Sequence, residues 1–186
     1  AELRKNVDAL IVIPNERLVN LSERRTTFLE AFKLADTVLL QAVKGISDVV
    51  MVPGYVNVDF ADVKSVMTNR GRAVMGTGTA SGEGRAIEAA QKAITSPLLE
   101  DGSIKGARAL LINITGGNDL GIYEFTDATN VIREEVDPSA NIKFGAVINP
   151  VMSEEIMVTV IATGFDEAGI RERMKKPVSL KDYRKE

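Results

Sequence analysis

The second half of the chain alternates strand-like and helix-like segments, and this alternation limits the fold more than any other feature of the sequence. Short apolar runs predict the strands, and apolar residues at helical spacing predict the two helices between them. The expected strands are 73–77, 107–115, 142–148 and 156–162, and the expected helices are 83–95 and 123–135. This βαβαββ order predicts an α/β domain over residues 72–165, in which helices pack on a four-stranded sheet.

A further strand is predicted near the start of the chain, at 8–13, after residues 1–7, which we interpret as the end of a helix. The strand is apolar throughout, which is typical of a central position in a parallel sheet. One strand cannot form a sheet, so we expect its neighbours to lie outside the chain. Residues 1–34 would then be the remnant of a domain, and without the rest of that domain the first 50 residues should be loosely ordered or dimerised.

A short helix is expected at 26–33 and a longer one at 35–50. The longer helix carries an apolar stripe with a period close to 3.6, so it should be buried along one side and be long enough to bridge two layers. The stripe consists of Val38, Leu39, Ala42, Val43, Ile46, Val49 and Val50. Residues 35–71 are therefore expected to form a central segment, and the polar residues 166–186 a tail.

The stretch from Gly54 to Asp62 places one amide and two carboxylates within a few residues. Asp59 is suited to be the N-cap of a helix over 60–69, and Asp62 is then at its third position. Capping alone would explain Asp59, but it does not require Asn57 or Asp62, so these two side chains are available for another role. A second interpretation is that the group orients a water molecule for attack on a phosphoryl group. A third is a small metal-dependent hydrolase built on Asp59 and Asp62, which the absence of histidine disfavours.

The composition excludes several classes of function. The 186 residues include no cysteine and no histidine, so disulfides, thiol chemistry, a Ser-His triad and nearly all zinc or copper sites are excluded. Any metal would be a hard cation held by oxygen, and Mg²⁺ with a phosphate is the expected case. The net charge is −3 with scattered basic residues, so no nucleic-acid partner is expected. No long apolar run or signal peptide is visible, so we expect no membrane insertion and a cytoplasmic location.

Two glycine-rich loops look like nucleotide sites, but we interpret them as turns that end strands. In 76–84 the third glycine of a G-x-G-x-x-G pattern comes one residue late, because Ser81 stands in its place. Glu83 also puts a negative charge where a bound anion would lie. The loop 115–119 is likewise a strand-ending turn. The sequence contains no G-x-x-x-x-G-K-[ST] phosphate loop.

Seven segments in register resemble the FtsZ family, the tubulin-like GTPases of bacterial cell division. The most specific segment is Asn57-Val-Asp59-Phe-Ala-Asp62-Val, which resembles the family's N-x-D-F-A-D-V loop. The other six are Leu10–Asn15, Gln41–Asp48, Ser81–Ala90, Ser96–Leu99, Asn113–Gly117 and Val158–Gly164. The resemblance covers about residues 1–165 and implies an α/β, tubulin/FtsZ-like fold. In this fold the end of a Rossmann-like GTPase domain is followed by a long central helix and a four-stranded C-terminal domain.

The resemblance also implies a site that two subunits share. In the family, GTP binds in the N-terminal domain, and the loop of one subunit projects onto the γ-phosphate bound by the next. The implied catalytic residues are Asn57, Asp59 and Asp62, and the implied nucleotide-binding residues are Asn15, Phe32 and Asp36. Phe32 would stack on guanine and Asp36 would accept its N–H groups, while Mg²⁺ would be held through the nucleotide.

The implied cofactors are GTP or GDP with Mg²⁺, and the implied partners are copies of the chain in a head-to-tail filament and other division proteins, at the division site. The family's G-G-G-T-G-[ST]-G phosphate loop is not found in this sequence. We therefore expect the chain to be the C-terminal half of such a protein and to be inactive alone. Either another chain supplies the GTP-binding half, or the chain is a truncated or processed product. The alternative function is a non-enzymatic module that caps filaments or interacts with them.

Overall fold

The computed structural model describes residues 2–13, 26–52, 54–68, 70–99 and 103–165. A short 3₁₀ turn at Leu3–Asn6 stands where the end of a helix was predicted. The strands are β1 (Ala9–Ile11), β2 (Gly54–Val56), β3 (Gly71–Ser81), β4 (Ala109–Gly116), β5 (Asn141–Ile148) and β6 (Glu155–Thr163). The helices are α1 (Phe28–Met51), α2 (Phe60–Met67), α3 (Arg85–Ile94) and α4 (Ile122–Glu134). The predicted tail at 166–186 lies outside the described residues.

The strands form one sheet in the order β1-β3-β6-β4-β5-β2. The four predicted strands make its centre: β6 lies antiparallel between β3 and β4, and β4 runs parallel to β5. Every residue of β4 is buried, as expected for a strand with neighbours on both sides and helices on both faces. The predicted four-stranded core is therefore confirmed, and two three-residue strands extend it at the edges.

Helices cover both faces of this sheet, because its strands place apolar residues on alternate sides. On one face, α3 and α4 pack through small and branched side chains such as Ala89, Ala93 and Ile132. On the other face, α1 and α2 pack through Val49 and Val66, together with strand residues of that side. The result is a three-layer α/β/α arrangement in which the segment 54–62 connects α1 to α2.

The predictions for the first strand are partly wrong. Residues Ala9–Ile11 pair in parallel with β3 at an edge of the sheet, with Ala9 opposite Gly71, so the chain itself supplies a neighbour. A central position was predicted because the segment is apolar on both faces, yet its residues are only half-buried and Val12 is 50% exposed. An apolar run shows that a strand prefers burial, but it does not say which strand will pair with it.

The two helices predicted at 26–33 and 35–50 are a single helix, Phe28–Met51. It begins with a capping box, in which Thr27 accepts from the Glu30 backbone N–H at 3.3 Å and Glu30 accepts from that of Thr27 at 2.7 Å. No glycine or proline interrupts the junction between the two predicted helices, so the helix continues through it. Within the described ranges, no helix is both long and apolar enough to cross a membrane.

The strand predicted at 73–77 extends to Ser81, through part of the glycine-rich loop. Gly76 and Gly78 lie within the strand. Glycine is required at both positions because a β-carbon there would collide with backbone oxygens of α3. The turn itself is confined to 82–84, where Gly82 and Gly84 have φ of 82° and 73°. The glycines therefore serve close packing of α3 on β3 and the turn between them.

Candidate functional site

The segment between α1 and α2 begins as a strand, which was not predicted. Residues Gly54–Val56 form β2 and pair antiparallel with the end of β5, with Gly54 opposite Val147. A side chain at Gly54 would collide with the carbonyl group of Ala146, so the close approach of the two backbones requires glycine. The sheet therefore holds the start of the segment in place.

Asn57 closes the turn that follows β2. Its Oδ1 atom accepts a hydrogen bond from the Gly54 backbone N–H at 3.0 Å, while the side chain remains exposed. The next residue, Val58, is only 5% exposed and packs over Gly145 of β5. Asn57 is thus held from both sides, by its own turn and by the buried valine.

Asp59 is the N-cap of α2, as predicted. Its Oδ1 atom accepts from the Asp62 backbone N–H at 2.7 Å, and α2 begins at the next residue, Phe60. Asp62 lies in the first turn of α2, and its carboxylate makes an ion pair with Lys143 of β5 at 2.6 Å. The three polar residues of the segment therefore lie together at one helix N-terminus, each with a defined protein contact.

Phe32 and Asp36 lie one turn apart in the first half of α1, far from this segment. Both are exposed, and the ring of Phe32 is 69% accessible. Asp36 is fifteen residues before Met51 at the end of α1, which corresponds to about 22 Å along the helix. Asn15, the third residue assigned to the nucleotide, lies outside the described residues. Within one subunit, therefore, Phe32 and Asp36 are separated from segment 54–62 by most of the length of α1.

The metal-dependent hydrolase interpretation would need a cluster of oxygen ligands. Among the described residues, no group of three or more acidic side chains is arranged to hold a metal ion. The Asp59 carboxylate caps a helix and the Asp62 carboxylate pairs with Lys143. This interpretation therefore gains no support from the structure.

A third polar group, distant in sequence from the segment, joins the two helices on the other face of the sheet. Arg85 is buried and contacts Asp119 and Glu124, each at 2.7 Å. The hydrogen bond to Glu124 raises the pKa of Arg85, and Arg85 in turn lowers the pKa of Glu124 and of Asp119. Glu124 also accepts from the Gly121 backbone N–H at 2.9 Å. The cluster ties α3 to α4 and to the loop before it. The sequence had indicated that loop only as a turn.

Large apolar side chains surround one end of the sheet near β2. A groove of about 590 Å³ lies between β2 and the start of α4, lined by residues that include Tyr55, Leu120, Ile122 and Phe125. The large apolar side chains exposed in β2, α2, α4 and the β5–β6 turn are Tyr55, Val56, Phe60, Ile122, Tyr123 and Val151. This surface is continuous with the segment 54–62, because β2 belongs to both.

One apolar side of α1 is also exposed. The predicted stripe buries Val38, Ala42 and Val49 against the sheet, but Leu39 and Val43 are 57% and 65% exposed. The helix is therefore apolar over a wider arc than the sheet covers. The spacing of the stripe alone could not show which part of it faces the sheet.

Sequence reasoning missed two residues that hold the segment, Val58 and Lys143. Val58 alternates with polar neighbours, which is a local signal for a buried position. Lys143 is the one charged residue within β5, Asn141–Ile148, and an isolated charge in a buried strand is a signal for a specific partner. Nothing in the local sequence identifies that partner as Asp62.

Comparisons with known proteins agree on one family. The model of the FtsZ family, C-terminal domain, matches residues 71–166. The chain is 52% identical over 178 residues to the cell division protein FtsZ of Caulobacter vibrioides, covering 96% of this chain and 35% of that protein. The chain therefore spans about a third of the length of the curated relatives it matches.

Solved structures show the same fold. A dimer of FtsZ from M. jannaschii, described as empty, superposes with a TM-score of 0.81 at 40% identity, over 87% of this chain and 47% of that one. CetZ2 from Haloferax volcanii, in a GTPγS-bound protofilament, superposes with a TM-score of 0.70 at 16% identity, over 92% of this chain and 52% of that one. The second likeness concerns the fold alone.

Proposed function

The chain belongs to the FtsZ family, and from that premise we propose that it is the C-terminal part of a self-assembling cell-division GTPase. Its segment 54–62 would complete the hydrolysis of GTP bound by the neighbouring subunit in a head-to-tail filament. The observation that carries this proposal is the separation of Asp36 from the segment by most of the length of α1. One nucleotide cannot contact both ends of the helix, but two subunits stacked end to end would bring opposite ends together.

The chemistry of the segment fits the attack of water on a phosphoryl group. A carboxylate at Asp62 and an amide at Asn57 can hydrogen-bond a water molecule and orient it, which is the main contribution that proteins make to this reaction. Mg²⁺ bound with the nucleotide would offset the charge of the phosphates. Asp59 would be the third catalytic group, and it would also keep the other two in place by capping α2, since Asp62 donates its backbone N–H to that cap.

The other end of α1 fits the base and ribose of the nucleotide. The exposed ring of Phe32 offers a face for stacking on guanine, and the exposed carboxylate of Asp36 can accept hydrogen bonds from guanine N–H groups. Asn15 would contribute on the ribose side. The phosphates would be bound by a GTP-binding part that is not within the described residues, and we propose that this part covers the exposed side of α1 formed by Leu39 and Val43.

The apolar surface around β2 supports self-association. Tyr55, Ile122 and Val151 are at least 70% exposed, and such a patch on a folded domain is typical of an interface. Since this surface adjoins segment 54–62, a second copy docked on it would face the catalytic residues. The curated relatives are named cell division proteins, which supports a role in that process. We further propose interactions with other division proteins and action inside the cell at the division site.

Mixing two inactive variants of the full-length protein tests the shared site. One variant carries Asn57→Ala with Asp62→Asn and keeps its nucleotide pocket; the other carries Phe32→Ala with Asp36→Ala and keeps its segment. Each should hydrolyse GTP poorly alone. In a 1:1 mixture, about a quarter of the junctions in a random head-to-tail filament would combine an intact pocket with an intact segment, so activity should return.

The polymer in each sample must be measured by pelleting, because a site shared between subunits also loses activity when assembly fails. Activity that stays at the level of the separate variants, in mixed filaments of normal mass, would contradict a site shared between subunits. High activity of the variant with the altered segment would contradict the catalytic role of Asn57 and Asp62.

A further inference from the structure

The Asp62–Lys143 ion pair joins two parts of the chain that are 81 residues apart in sequence. The Lys143 Nζ atom lies 2.6 Å from Asp62 Oδ1, and the two side chains are only 31% and 39% exposed. Most surface ion pairs link fully solvated side chains and contribute little. This pair is shielded in part, and it links the first turn of α2 to the first half of strand β5.

Strand β5 contacts the segment 54–62 at several points. The backbone of β5 pairs with β2, and Gly145 lies under the buried side chain of Val58. Lys143 is two residues from Gly145 and therefore on the same face of the strand. Its contact with Asp62 is thus the third point at which β5 holds the segment, and it is the one that acts directly on a polar side chain.

We propose that Lys143 is a positioning residue that acts through Asp62, an inference that rests on the function proposed above. The ammonium group binds Oδ1 and so limits rotation of the carboxylate. Oδ2 can then accept a hydrogen bond from a water molecule and orient it. The ammonium group also offsets the negative charge of Asp62, which lies three residues after the negatively charged Asp59. Two uncompensated carboxylates would be repelled by the phosphates of a nucleotide on the neighbouring subunit.

The test is Lys143→Met in the full-length protein, which keeps the length of the side chain and removes its charge. At equal polymer mass, kcat should fall about fivefold, the size expected for one partly shielded ion pair. KM for GTP should not change, since the nucleotide is bound by the other subunit. Lys143→Arg keeps a positive charge within reach of Asp62 and should retain most of the turnover.

Lys105→Met is the matched control. It removes the same kind of charge from an exposed pair with Glu135 at 3.1 Å, which does not contact the segment 54–62. Its kcat should equal that of the unaltered protein. A fall in kcat for Lys143→Met that Lys105→Met reproduces would overturn the proposal, because it would show a general effect of lost charge.

A double substitution separates positioning from a merely structural tie. In an Asp62→Asn background, Lys143→Met should lower kcat no further, because the group through which it acts has already been altered. An undiminished effect in that background would overturn the proposal, as would unchanged kcat for Lys143→Met alone. If Asp62→Asn itself leaves kcat unchanged, it is the proposed function that fails, so the two failures are distinguishable.

Discussion

At the scale of single residues, the two carboxylates at the start of α2 have different contacts although they lie close together. Asp59 accepts a backbone hydrogen bond as the cap of α2, whereas Asp62 pairs with a side chain of another element. Asparagine caps a helix about as well as aspartate, so amide substitutions preserve the cap. Substitution can therefore separate capping from catalysis.

We predict that Asp62→Asn in the full-length protein cuts GTP turnover strongly, by about 10²–10⁴-fold, the usual cost of losing one proton-transfer or orienting group. The free energy of unfolding should change by less than about 1 kcal/mol, because Asp59 still caps α2 and the lost ion pair is partly exposed. Turnover at constant polymer mass and thermal unfolding measure the two effects.

Asp59→Asn should preserve stability because asparagine also caps α2, and it should lower turnover because it removes a proposed catalytic carboxylate. Normal GTP turnover by both Asp62→Asn and Asp59→Asn, at equal polymer mass, would contradict the proposal that the segment acts on GTP bound by the neighbouring subunit. A loss of stability without a loss of turnover would show that the segment only caps the helix.

Arg85 is the residue whose loss should cost the most stability outside the apolar core. It is buried and binds two carboxylates, so its removal would leave Asp119 and Glu124 facing each other without their cation. Because Arg85 lowers the pKa of Glu124 in the folded chain, the pair stabilises the fold fully above the ordinary carboxyl value of 4.5. This contribution is lost as the pH falls through the lowered pKa.

We predict that Arg85→Met lowers the free energy of unfolding by about 2 kcal/mol at pH 7, less than for a fully buried pair because Glu124 is partly exposed. Between about pH 4.5 and pH 3 the difference from the unaltered chain should shrink, since protonated carboxyl groups no longer need the cation. Urea unfolding of both proteins at about pH 7 and about pH 3 measures the difference in the free energy of unfolding. A difference that does not depend on pH would show that Arg85 acts through packing alone.

At the scale of elements, β1 is an edge strand and β4 is an inner strand of the sheet. Three residues of β1 pair with β3 at one edge and are half-buried, whereas all eight residues of β4 are buried between β6 and β5. Short edge strands open more easily than central ones, because fewer hydrogen bonds and contacts must be broken.

We therefore predict fast amide hydrogen exchange in Ala9–Ile11 and slow exchange in Ala109–Gly116. The measurement is hydrogen exchange on the chain alone, with its oligomeric state verified. Protection of β1 as strong as that of β4 in a monomer would contradict the expectation that the start of the chain is loosely ordered.

At the scale of the whole molecule, many of the exposed apolar side chains in the described ranges are gathered in two places. One is the side of α1 that includes Leu39 and Val43, and the other is the surface around β2 and the start of α4. A domain with such surfaces is suited to be one part of a larger assembly. The groove beside Tyr55 and Ile122 marks the second surface as the stronger candidate for contact with another copy.

We predict that Ile122→Lys in the full-length protein strongly reduces assembly, since it places a charge in this groove. Folding should be unaffected, because Ile122 is 77% exposed. Sedimentation of polymer with GTP and thermal unfolding measure the two effects. Ile87→Lys, on the outer layer at α3 and 40% exposed, is the control and should assemble normally. Normal assembly of Ile122→Lys would show that this surface is not the interface.

Much of the local structure could be predicted from the sequence, because it depends on neighbours along the chain. The 3.6 and 2 periodicities located the central strands and the helices, and the side chain of Asp59 identified the start of α2. Seven segments in register, among them the one around Asn57 and Asp62, identified the family. The division of the chain at residues 34, 71 and 165 and the roles of the site residues stay predictions.

Only the tertiary structure decided which distant segments meet. In the sheet, β1 lies at an edge rather than in the centre. Residues 54–56 form a strand because they pair with β5. Lys143 is the partner of Asp62. The packing of α1 also determined that Val38 and Val49 are covered while Leu39 and Val43 are not. Such pairings depend on contacts between residues far apart in sequence, which a local pattern of apolar and polar residues does not encode.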